Sequence, residues 1–200
     1  YITNQINLII SWIAGFVSFN VSILIIIAKY PAELNQDIII ALNLQNLALG
    51  FSVIFFQPKI NYITKILNQR NGRALIRFMS ERTLITIIIG AFISVVVFTC
   101  KSQLLVSEIT ANIAYSVTIN WILLSTVFYV AFTLRSCYGE TLHNISLLYG
   151  IILCLGLYFR HSTTSLELLT QILGCSAVYA SLCYIQFIRK MKKWMIMKAI

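Results

Sequence analysis

The residues able to do chemistry in this sequence are amides and hydroxyls that interrupt long apolar stretches. Asn43 and Asn46 lie three positions apart, and Asn112, Ser116 and Asn120 follow one another at intervals of four. On a helix both spacings place the side chains on one face. Such a face either lines a path for a polar molecule or lies against a neighbouring helix. The spacing alone leaves both interpretations open.

Two further polar residues stand apart from these groups. Asn20 lies near the middle of the first apolar stretch, where it either hydrogen-bonds to another helix or contacts a ligand, and we favour the hydrogen bond. Arg135 follows an apolar stretch and precedes Gly139, a residue that permits the chain to reverse. Its guanidinium either points toward an anionic ligand entering from the cytoplasm or extends to the lipid interface as an anchor. We favour the anchor.

The groups that enzymes and metal sites need do not occur in a usable pattern. No Asp, Glu, Lys or Arg lies in the middle of an apolar stretch, although carriers driven by ion gradients usually place one there. His143 and His161 lie at opposite ends of one stretch, and the five cysteines form no C-x-x-C pair. No phosphate-binding loop or nucleophile motif occurs. We therefore expect no enzyme, no cofactor and no metal site.

The polar residues must be positioned by helices that cross a membrane. Hydrophobic residues make up 59% of the chain and charged residues 10%, whereas soluble proteins carry about 25% charged residues. A bilayer core about 30 Å thick needs a helix of roughly 20 apolar residues. The sequence predicts a single all-α membrane helix bundle over residues 1–200, with about six transmembrane helices. Their expected ranges are 6–28, 38–56, 83–99, 109–133, 142–159 and 168–188.

Basic residues outside these ranges predict the orientation of the bundle. The loop 57–82 carries six Lys and Arg residues, and the tail 189–200 carries five. Because basic segments stay on the cytoplasmic side, both termini are expected in the cytoplasm. Apolar residues at helical spacing on either side of Asn71-Gly72 predict two short amphipathic helices on the inner membrane surface. We attribute the net charge of +9 to contact with anionic membrane lipids and expect no nucleic-acid partner.

Two segments resemble a known family, the bacterial polysaccharide flippases. These are the O-antigen translocases of the multidrug/oligosaccharidyl-lipid/polysaccharide exporter superfamily, and the similarity is to their carboxyl-terminal half. Its strongest part is a span that ends in Gln57-Pro58-Lys59, followed by an amphipathic stretch, the Asn71-Gly72 turn and a basic helix. The similar segments are SFNVSILIIIAKYPAELNQDIIIALNLQNLALGFSVIFFQPKI, LNQRNGRALIRF and YVAFTLRSCYGETLHNISLLYGIIL.

The resemblance implies one lobe of a two-lobed transporter in the bacterial inner membrane. Such proteins move undecaprenyl-diphosphate-linked oligosaccharides from the inner to the outer leaflet for polysaccharide biosynthesis, including O-antigen and lipopolysaccharide. The implied partners are this lipid-linked oligosaccharide, membrane lipids, an amino-terminal lobe or second copy, and the polysaccharide polymerase machinery. Asn20 stands where an acid is often found, which leaves ion coupling open. The implied substrate contacts are Asn20, Asn43, Asn46, Asn112, Ser116 and Asn120 for the sugars and Arg135 for the diphosphate.

Two other functions are compatible with the sequence. A cation-coupled drug exporter of the same superfamily is one, although the lack of mid-span acids counts against it. A non-transporting structural subunit of a membrane complex is the other, and there the polar faces would be covered by partner helices. Replacing Asn46 or Asn120 with Leu should disturb assembly in a structural subunit, and should reduce glycan export at unchanged protein level in a flippase.

Overall fold

The chain folds as a helix bundle. A computed structural model describes residues 2–32, 38–40, 42–43, 46, 49–50, 60–69, 71–99, 111–160, 162 and 164–196. Regular structure within these ranges is entirely helical, with no strand. The predicted all-helical fold is therefore confirmed for this part of the chain.

The helices are numbered here in chain order, and a five-residue π-helical turn joins the first two. The described residues between 38 and 50 are also helical, and the remainder of the expected second span, 38–56, lies outside the described residues. The numbered helices are α1 (Ile2–Phe16), the π-helical turn (Val17–Val21), α2 (Ser22–Lys29), α3 (Ile60–Asn68), α4 (Gly72–Thr99), α5 (Ala111–Tyr138), α6 (His143–Phe159) and α7 (Ser165–Ile196).

Three helical segments are long and apolar enough to cross a membrane, and they indicate a membrane protein. They are Gln5–Lys29, Tyr115–Ser136 and Ser165–Lys193, with 25, 22 and 29 residues. Helix α6 is apolar but shorter, with 17 residues. The predicted count of six spans is not confirmed by the described residues.

The basic loop differs from the expected arrangement of two short helices. Helix α3 is one of them, but the second continues without a break into the following apolar stretch as the 28-residue α4. The expected boundary at residues 82 and 83 is therefore absent from the backbone. Asn71 caps the start of α4, since its Oδ1 accepts a hydrogen bond from the Ala74 amide at 3.0 Å. No residue between Gly72 and Gly90 is a glycine or proline, so nothing in the sequence interrupts the helix.

Contacts between helices show that their directions alternate along the chain. Helices α1 and α2 run parallel to α6, because Ser18 lies beside Gly150 and Lys29 reaches the carbonyl of Leu157. Helix α7 runs antiparallel to α6, as the bonded pairs described below require. Helix α4 runs antiparallel to α5, since Thr86 is hydrogen-bonded to Tyr129 and Gly90 packs on the ring of Trp121.

Two hydrophobic clusters form the core and mark the two ends of the bundle. The first joins α2, α5, α6 and α7 and includes Ile26 and Leu157 near the end where Lys29 lies. The second joins α3 and the first turns of α4 to α5 and to the last part of α7, and it includes Phe78 and Met191. The basic residues of α3, of the start of α4 and of the end of α7 therefore lie at one end of the bundle.

Candidate functional site

The first apolar segment, Gln5–Lys29, is called the first span, and it packs against α6 through small residues. A Cβ atom at Gly150 would lie 2.9 Å from Ser18 Oγ and 3.2 Å from the carbonyl oxygen of Ala14, so only glycine permits this approach. Ser18 donates a hydrogen bond to the Ala14 carbonyl at 2.8 Å, and Ser22 donates to the Ser18 carbonyl at 2.5 Å. Single π-helical turns inside α-helices are frequent at functional sites, and this one carries Ser18 into the bundle.

A reciprocal pair of hydrogen bonds joins α6 to α7. Tyr149 Oη lies 3.0 Å from Ser176 Oγ, and Tyr179 Oη lies 2.9 Å from Ser146 Oγ. The two tyrosine rings stack, with centroids 4.4 Å apart and planes 10° from parallel. Each helix thus contributes one Ser-x-x-Tyr segment, and the antiparallel crossing pairs each serine with the other tyrosine.

An ion pair closes the end of α5. Arg135 binds Glu140 across a turn in which Gly139 adopts φ 73°, a conformation that favours glycine. The Glu140 side chain is only 4% exposed, and its second oxygen accepts a hydrogen bond from the Leu142 amide at 3.4 Å. The Arg135 guanidinium also lies 5.7 Å from the centroid of the Phe132 ring. Among the residues that the structure describes, Glu140 is the only Asp or Glu that is buried.

Two adjacent cavities connect these features. The larger, about 90 Å³, lies between α1, α5, α6 and α7, with Arg135, Glu140 and Tyr179 on its wall. The smaller, about 20 Å³, extends between the first span, the helix containing residue 46, and α5. Both are lined by Ser18 and Tyr149. We call the resulting row of polar side chains the polar track; its members are Arg135, Glu140, Ser146, Tyr179, Tyr149, Ser18, Ser22, Asn46 and Asn120.

The structure brings together some of the residues that the sequence singled out and separates others. Asn120 is buried and lines the smaller cavity with the half-buried Asn46. Ser116 is half-buried one turn before Asn120, and Arg135 lies at the end of the track in contact with Glu140. Asn20 and Asn43 are exposed and line neither cavity. The side chain of Asn112 lies outside the described residues.

Several residues of the track were not anticipated. Glu140 was overlooked because a single acid next to a turn is ordinary in a sequence. The serine and tyrosine residues of α6 and α7 do carry a signal, since the same Ser-x-x-Tyr spacing occurs at residues 146–149 and 176–179. Recognising it requires knowing that the two helices pack against each other in opposite directions.

The track offers hydrogen bonds from neutral groups along its length and one ion pair at its end. Hydroxyl and amide groups can bind water or sugar hydroxyls without the desolvation cost of a charge. The smaller cavity has room for about one water molecule, so the track in this arrangement is closed to a sugar. Among the described residues no group of three or more His, Cys, Asp and Glu side chains could hold a metal ion.

Comparison with known proteins returns no relative. The chain matches no protein-family model, no curated protein and no solved structure at a significant level.

Proposed function

We propose that this chain is one lobe of a membrane transporter that moves a lipid-linked oligosaccharide from the inner to the outer leaflet of a bacterial inner membrane. The observation that carries the proposal is the polar track. It connects the basic end of the bundle, through Ser18 and Tyr149, with Asn46 and Asn120. A path for a sugar head group needs polar side chains inside the bundle, and the track supplies them from the end where the basic residues lie. The closed track is then one state of an alternating-access cycle.

The arrangement of charge supports a cytoplasmic position for both termini. The described basic residues of α3, of the start of α4 and of the end of α7 share one end of the bundle with Arg135. Lys29 and Arg160 lie together at the opposite end, where Lys29 contacts the Arg160 carbonyl. An excess of basic residues on one side is typical of the cytoplasmic side.

A partner lobe or second copy is part of the proposal, because the outer face of the first span carries an exposed amide. Asn20 lies on one stripe with the exposed side chains of Phe16 and Leu24. An amide facing lipid is unfavourable, since lipid offers it no hydrogen-bond partner. A second lobe across this face supplies one.

The test is the export of glycan by Asn46→Leu and Asn120→Leu variants in the source bacterium. We expect surface polysaccharide to fall at least about tenfold while the amount of protein in the membrane stays unchanged. Asn43→Leu is the matched control, because Asn43 is exposed beside Asn46 and should leave export at the wild-type level. Normal export by Asn120→Leu at normal protein level would contradict the proposal.

A structural subunit of a membrane complex is the second candidate, favoured by the small size of the cavities. In that case Asn120→Leu lowers the amount of assembled complex, and any effect on glycan follows the loss of protein. The cation-coupled drug exporter is supported less, because the acid that the described fold buries, Glu140, is held by Arg135.

A further inference from the structure

Helix α3 and the first turns of α4 enclose an open groove at the basic end of the bundle. Its volume is about 890 Å³, and it is lined by three arginines and one glutamate. The rings of Tyr62 and Phe78 lie in it side by side, with centroids 5.6 Å apart. We call this feature the arginine groove; its charged members are Arg73, Arg77, Glu81 and Arg82.

Arg82 is held in a position suited to an anion. Its guanidinium lies over the Phe78 ring, 5.2 Å from the ring centroid, in a cation–π arrangement. Its Nε atom is buried and has no hydrogen-bond partner in the part of the chain that the structure describes. A buried donor without an acceptor is unfavourable, and an anionic oxygen that reached this atom would supply the missing acceptor.

The other two arginines keep their charge available to a ligand. Arg77 pairs with Glu81 at 3.0 Å, but the two side chains are 83% and 53% exposed, and such surface pairs hold their partners weakly. Arg73 is exposed and makes no ion pair with any described residue. Three guanidinium groups line one groove, and the planar fork of a guanidinium suits phosphate oxygens.

The unbroken α4 places the groove next to an apolar surface. From Arg77 the same side of the helix continues to Leu84 and Ile88, both of which are exposed. The exposed face therefore changes from basic to apolar within two to three turns. A phospholipid has this order of groups, whereas a soluble phosphate or a nucleic acid would use only the basic half.

We propose that the arginine groove binds the phosphate of an anionic bilayer phospholipid, whose acyl chains lie along Leu84 and Ile88. This site is separate from the polar track and does not depend on the transport function proposed above. Arg73 and Arg77, one turn apart on the same face, contact the phosphate oxygens, Arg82 adds positive charge from the same groove, and Tyr62 borders the head group. The lipid then fastens the start of α4 to the inner leaflet.

The experiment is a titration of the purified full chain in detergent, with bound lipid counted by native mass spectrometry. Phosphatidylglycerol is compared with phosphatidylcholine, which has the same acyl chains and no net charge. The groove variant is Arg73→Gln/Arg77→Gln/Arg82→Gln. The matched control is Arg189→Gln/Lys192→Gln/Lys193→Gln, which removes the same charge from exposed residues at the same end of the bundle.

We expect wild-type and control protein to bind phosphatidylglycerol at least about tenfold more tightly than phosphatidylcholine, and the groove variant to lose this preference. A double variant, Arg73→Gln/Arg77→Gln, changes only exposed residues and should lose most of it with an unchanged melting temperature. Equal weakening in the groove and control variants would overturn the proposal, because general charge attraction would then explain the binding. Release of the lipid by excess pyrophosphate at constant ionic strength would also overturn it, in favour of a soluble phosphate ligand.

Discussion

The first span and the central helix α5 are both long apolar segments with polar residues, but α5 is much more deeply buried in the bundle. Of the most apolar 18-residue window in Tyr115–Ser136, 56% of residues are buried, against 22% in Gln5–Lys29. The central helix packs against neighbours on most of its circumference and turns Asn120 inward. The first span has one buried stripe and turns Asn20 outward. The presence of a polar residue in an apolar helix therefore does not determine whether its side chain faces the interior of the bundle or the outside.

The buried stripe of the first span shows what selects the inner face. Ala14, Ser18 and Ser22 lie four residues apart, and the first two meet Gly150 of α6. In a membrane, helices associate through close packing of small residues, because lipid is as apolar as any apolar side chain. At this crossing the large side chains of Trp12 and Phe16 stay on the outer face, and Asn20 lies there because of its position relative to the small residues.

The largest loss of stability is expected from Gly150→Ala, at the point where the first span crosses α6. The added Cβ would press against Ser18 Oγ and the Ala14 backbone, so we expect the free energy of unfolding to fall by about 1–3 kcal/mol. Gly174→Ala is the control, since a Cβ there meets no atom within 4 Å and the helix gains up to about 1 kcal/mol. Thermal unfolding in detergent compares the two. Changes of the same sign would mean that the first span does not cross α6 at Gly150.

Lys29→Met tests how firmly the first span is attached at its other end. The Lys29 ammonium donates hydrogen bonds to the carbonyls of Leu157, Tyr158 and Arg160, where α6 ends. We expect a loss of about 1 kcal/mol, measured by the same unfolding assay. Lys192→Met removes an exposed lysine and should change the melting temperature by less than half as much. Equal effects would show that Lys29 acts only through its charge.

Tyr149→Phe tests the hydrogen-bonded contact between α6 and α7. Removing the hydroxyl breaks the hydrogen bond to Ser176, and bonds of this kind between membrane helices contribute about 0.6 kcal/mol on average. Tyr115→Phe provides the control, because Tyr115 is exposed. Because each single variant already breaks this bond, the double variant Tyr149→Phe/Ser176→Ala should lose less stability than the two single losses added together. Losses that simply add would show that the two residues are not bonded to each other.

Asn20→Leu is expected to have the smallest effect on the isolated chain, near zero in the unfolding assay. Its exposed amide contributes to no described cavity, whereas Asn120→Leu changes the interior. Cross-linking in native membranes adds the second measurement, because loss of the Asn20 amide should weaken association with a partner lobe or second copy. If Asn20→Leu destabilised the isolated chain as much as Asn120→Leu, the outer face of the first span would have been assigned wrongly.

Local features of the fold could be read from the sequence, and contacts between distant residues could not. The Asn71-Gly72 turn was predicted from its residue types, and α4 does start at Gly72 with Asn71 as its cap. The break expected between residues 82 and 83 does not occur, because α4 continues from the basic segment into the apolar one as far as Thr99. Charged residues are compatible with a helix that continues into an apolar segment, so their presence did not predict a boundary.

Composition and periodicity are enough to predict that the chain is helical, that its long apolar segments can cross a membrane and that its basic residues are unevenly distributed. Helix packing is needed to know that Asn120 faces inward and Asn20 outward, that Glu140 neutralises Arg135, and that two Ser-x-x-Tyr segments bond to each other. This is because an apolar helix in lipid has no preferred inner face of its own. Its neighbours select that face through close packing and hydrogen bonds.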